Sequence, residues 1–89
     1  KDLVSVQLKF SESRFPYVTS KPIHWSQKVV DAERNIIEID VIPNKELTAL
    51  LLSYGSDLEV LAPESVRNDI KAIIEDSFKK YSMCADGLH

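Results

Sequence analysis

At 89 residues the chain has room for one domain with a modest core. Its formal net charge of −3 argues against a dedicated duplex-binding module, which needs a basic face to displace counterions. No apolar stretch reaches membrane-spanning length and no signal peptide is visible, while the single Cys84 makes no internal disulfide and fits a reducing, cytoplasmic setting.

The chain begins at Lys1 with a strand pattern almost at once, so it is expected to be a piece of a longer protein. Val4, Val6, Leu8 and Phe10 alternate with Ser5, Gln7 and Lys9, the period of a half-buried strand. Ser11 or Ser13 can cap a short helix running from 12 or 14 to 19. Its inward residues would be Phe15 and Val18, and Pro16 is tolerable only in its first turn. A second strand is predicted where Trp25, Gln27 and Val29 alternate with Ser26, Lys28 and Val30. Polar residues 31–35 form a hairpin loop, with Asn35 at a turn position. Ile37, Ile39 and Val41 mark a third strand, and Asn44 can cap the helix that follows.

That helix carries Leu47, Leu50, Leu51 and Tyr54 on one face, and Gly55 can take the left-handed conformation that ends it. Leu58, Val60 and Ala62 then repeat at the strand period until Pro63, which suits the first turn of a new helix. The last helix has an apolar stripe of Val66, Ile70, Ile73, Ile74, Phe78 and Tyr81. From Ser82 the pattern dissolves, which divides the chain into a domain over 1–81 and a poorly ordered tail over 82–89.

Two strand–helix–strand halves predict an α+β, ferredoxin-like βαββαβ sandwich: a four-stranded antiparallel sheet with both crossover helices on one face. The final helix is additional. Its stripe needs cover from the open sheet face, a neighbouring domain or a second copy of the chain.

Three features together resemble a known family. The first strand runs into a short helix. His24-Trp25-Ser26-Gln27 stands directly before a strand, where the family has His-Pro-Ser/Thr-Gln. Leu51-Leu52-Ser53-Tyr54-Gly55, then Val60-Leu61-Ala62-Pro63, then Val66-Arg67, is similar to its second signature. The family is the WYL C-terminal extension domain, WCX, and the resemblance covers residues 3 to about 81. Trp25 replaces its usual proline and Val66 its usual leucine. The resemblance implies a non-catalytic regulatory domain closing a bacterial DNA-binding transcription regulator. There it would contact the parent protein's WYL and helix-turn-helix domains, or a second copy as a homodimer. DNA would be bound through the parent rather than through this domain, with no membrane partner. Sensing of a ligand or of single-stranded nucleic acid is a further role the resemblance implies.

The residues themselves offer two candidate contact sites. His24, Ser26 and Gln27 could meet a ligand or partner with Trp25 stacking a base. Equally, His24 and Ser26 could satisfy loop backbone while Trp25 fills core. The structural role is the expectation, since aromatic and polar residues at such places are mostly structural. Arg67 stands in a helix first turn, where a cation is unfavourable. It could pair with a carboxylate or phosphate across an interface, or form a surface pair with Glu64 or Glu59.

Catalysis is not expected, and neither is a metal or cofactor. His24 and His89 are remote, no His/Cys/carboxylate spacing suits a metal, and two glycines make no phosphate loop. Base stacking on the sheet is also disfavoured, because the outward residues of the first and third strands are Ser5, Gln7, Lys9, Ile36, Glu38 and Asp40. The alternative function is a stand-alone sensor of ferredoxin-like fold that binds a small metabolite at a dimer interface.

Overall fold

The computed structural model describes residues 2–84. Its elements run β1 (Val4–Phe10), α1 (Phe15–Ser20), β2 (Lys28–Asp31), β3 (Ile36–Val41), α2 (Lys45–Leu52), a 3-10 turn (Gly55–Asp57), β4 (Leu58–Ala62) and α3 (Glu64–Cys84). The strands form one sheet in the order β2-β3-β1-β4, every neighbouring pair antiparallel. This is the ferredoxin-like α+β arrangement expected from the pattern, with a C-terminal helix added.

β1 is central because its alternation is uninterrupted. Val6, Leu8 and Phe10 are buried with Ile37, Ile39 and Val41 of β3 and Val60 of β4. Val18 of α1 and Leu47 and Leu51 of α2 close that face, with Phe15 packed against it. Tyr54 sets its ring edge-on to Phe10, centroids 5.3 Å apart. The other sheet face is polar and paired with itself. Ser5 donates to Asp40 at 2.6 Å, Gln7 to Glu38 at 3.3 Å, and Lys28 lies 3.5 Å from Glu38.

Local signals set most boundaries. Asn44 accepts from the Leu47 amide at 2.8 Å, a side-chain cap on α2. Asn35 takes φ 63° in the β2–β3 turn. Pro16 sits in the first turn of α1, but no side chain caps that helix at Arg14; Ser11 Oγ instead accepts from the Arg14 amide at 3.3 Å. α2 ends at Leu52, and two turn residues intervene before Gly55, at φ 58°, opens the 3-10 turn.

One expectation changes, and one of the open alternatives for the last helix closes. The second strand begins at Lys28 rather than at Trp25, because residues 24–27 close into a turn in which the Gln27 amide donates to the His24 carbonyl at 3.0 Å. The polar sheet face stays open, since α3 does not lie across it. Val66 and Ile70 instead join the single buried cluster. Beyond Ile70 every residue of α3 from Lys71 to Ser82 is exposed, including Ile74, Phe78 and Tyr81 at 53%, 67% and 78%. The helix continues through Cys84, into the stretch expected to be a tail, and residues 85–89 of that stretch lie outside the described residues.

A Cβ at Gly55 would meet nothing within 4 Å, so only the positive φ constrains this position. Gly55→Ala should therefore cost about 1–2 kcal/mol, the backbone term alone. Urea denaturation followed by far-UV circular dichroism checks this, and a larger loss would point to a steric role.

Candidate functional site: a tryptophan-tipped turn and an arginine at the sheet edge

Residues 23–27 form a tightly bonded turn. The Gln27 side chain ties it down at both ends, accepting from the Ile23 amide at 2.9 Å and donating to the Val18 carbonyl at the end of α1, also at 2.9 Å. Ser26 ties it to the sheet. Its hydroxyl oxygen accepts from the Asp40 amide at 2.9 Å and lies 2.7 Å from His24 Nδ1. The Ser26 amide donates to the same Nδ1 at 3.2 Å. Ser26 and Gln27 thus bond strand and loop backbone, and His24 accepts from the Ser26 amide.

Trp25 does not fill the core. It is 87% exposed at the tip of the turn, its ring tilted 31° to His24 with centroids 5.4 Å apart. The physical reason is the turn itself. Ser26 and Gln27 both point inward to their partners, so the residue between His24 and Ser26 is turned out to solvent. Trp25 also occupies the second position of a four-residue turn, where proline is favoured elsewhere; the turn closes without it.

Trp25 and His24 line a shallow groove of about 370 Å³, with Leu3, Ile42, Glu46 and Leu50 among its other walls. Leu3 and Ile42 are exposed at 64% and 44%. Both lie just outside strand ends, where alternation no longer specifies a face, so the sequence reading passed over them. The acidic residues along the groove are Asp40 and Glu46, with no lysine or arginine among the lining residues. The site can therefore offer apolar contact and an aromatic face, with no lysine or arginine among its lining residues to meet a phosphate.

Arg67 stands elsewhere, on the first turns of α3 beside β4. Its Nη1 donates to Glu59 Oε2 at 3.0 Å and to the Val60 carbonyl at 2.7 Å. The Asp57 carbonyl accepts from the Ser11 amide. Carbonyls alternate sides along a strand, so those of Leu58 and Val60 point away from β1, off the sheet edge. Arg67 thus caps an outward edge carbonyl and holds α3 against β4. The expected surface pair with Glu59 is present, and the bond to backbone is what adds to it. A second groove of about 180 Å³ runs between this edge and α3, lined by Val60, Ile70 and Ile74 among others. The structure therefore brings His24, Trp25, Ser26 and Gln27 together and leaves Arg67 at a separate edge.

Among the described residues no cluster of three His, Cys, Asp or Glu side chains is placed to hold a metal, and no helix is long and apolar enough to cross a membrane. Buried side-chain polar atoms among them all have partners.

The sequence profile of the WCX domain matches residues 2–77, which is most of the chain. No curated protein matches it.

Ser26→Ala removes the acceptor for the Asp40 amide and should cost about 1–2 kcal/mol, whereas Trp25→Ala should change stability by less than about 0.5 kcal/mol. Urea melts of the two variants give the contrast, and a large loss in Trp25→Ala would show the ring to be packed. Arg67→Ala should cost about 1 kcal/mol, because a half-exposed guanidinium loses its backbone acceptor as well as a weak surface pair. Amide exchange at β4 should rise in that variant, and unchanged protection there would remove the capping role.

Proposed function

The chain belongs to the WCX family, regulatory domains of WYL-type regulators, and on that premise we propose that it acts by docking rather than by chemistry. In this reading it closes a bacterial DNA-binding transcription regulator in the cytoplasm. It contacts the parent protein's WYL and helix-turn-helix domains and a second copy of itself. DNA is engaged by the parent and not by this domain.

The observation that carries the reading is Trp25. An indole 87% exposed, on a turn pinned to α1 and β3 by hydrogen bonds, is a rigid aromatic anchor. It costs little entropy on docking, because the turn is already ordered. Its neighbours Leu3 and Ile42 extend the apolar surface, and His24 adds a polar contact. A direct role in single-stranded nucleic acid sensing gains a stacking surface from Trp25 but no phosphate-binding cation in the groove, where Asp40 and Glu46 oppose it. The remaining alternative, a stand-alone metabolite sensor, draws no support from the groove's open shape or from the membership in WCX.

Trp25 is the sole tryptophan, so its fluorescence reports this surface alone. The parent protein's WYL domain, added in trans, should shift the emission to the blue and move amide NMR signals of residues 24–27, Leu3 and Ile42. A short single-stranded DNA at low salt should move neither these nor Arg67. The opposite pattern, with DNA acting at residues 24–27 and the WYL domain inert, would replace docking with nucleic-acid binding.

A further inference from the structure

We draw no further inference here: the strongest candidate, the half of α3 beyond Ile70 that leaves Ile74, Phe78 and Tyr81 exposed, carries nothing because nothing in the structure shows what covers it.

Discussion

The fold depends on the pairing of β1 on both of its sides. Val6, Leu8 and Phe10 are almost completely buried. The same strand aligns with β3 over six residue pairs and with β4 over four. In a chain this short, long-range order has to pass through a single central strand. A slip of one residue there would send Ser5, Gln7 and Lys9 into the core and bring out Val6, Leu8 and Phe10. The polar pairs on the opposite face, Ser5 with Asp40 and Gln7 with Glu38, secure the same register from the other side. The strand pairing thus decides where every surface feature stands, and both candidate contact regions are built at its margins.

Those margins differ in kind. At the end of the sheet, hydrogen bonds from Ser26 and Gln27 hold a turn rigid so that an aromatic ring can face outward. At the β4 edge, Arg67 joins helix to strand and leaves the rest of α3 to leave the body. One region is fixed and presents a ring; the other projects and presents a helix face. Both suit recognition of another folded surface. Neither gathers the acid, base and nucleophile of a catalytic centre.

The sheet was legible because its signals are local and repetitive. The period of two in β1, β3 and β4, the Asn44 cap and the Asn35 turn each act within a few residues. The family resemblance was likewise carried by short motifs, among them those around Gly55 and Pro63. Trp25 was misplaced for a definite reason. Residues 25–30 alternate in a way that mimics a strand, yet the side chain of Gln27 competes with the ladder by bonding Ile23 and Val18, which folds the segment back on itself. Arg67 was readable as a residue set against the helix dipole, but its bond to the Val60 carbonyl depends on which side of β4 that carbonyl points. Parity of that kind comes from pairing, which the sequence of one strand does not contain. Leu3 and Ile42 were passed over because they fall just where the alternation ends.

The guarded edges of the sheet bear on how the chain avoids fibrous aggregation. An open antiparallel sheet invites further strands at both sides. Here β2 is only four residues long, begins with Lys28 and breaks register between Val29 and Asp31, which makes it a poor template despite its exposed valines. On the far side Arg67 occupies the Val60 carbonyl, and α3 stands beside the strand. Strand addition is hindered at each end, so two molecules that meet are steered away from open-ended stacking.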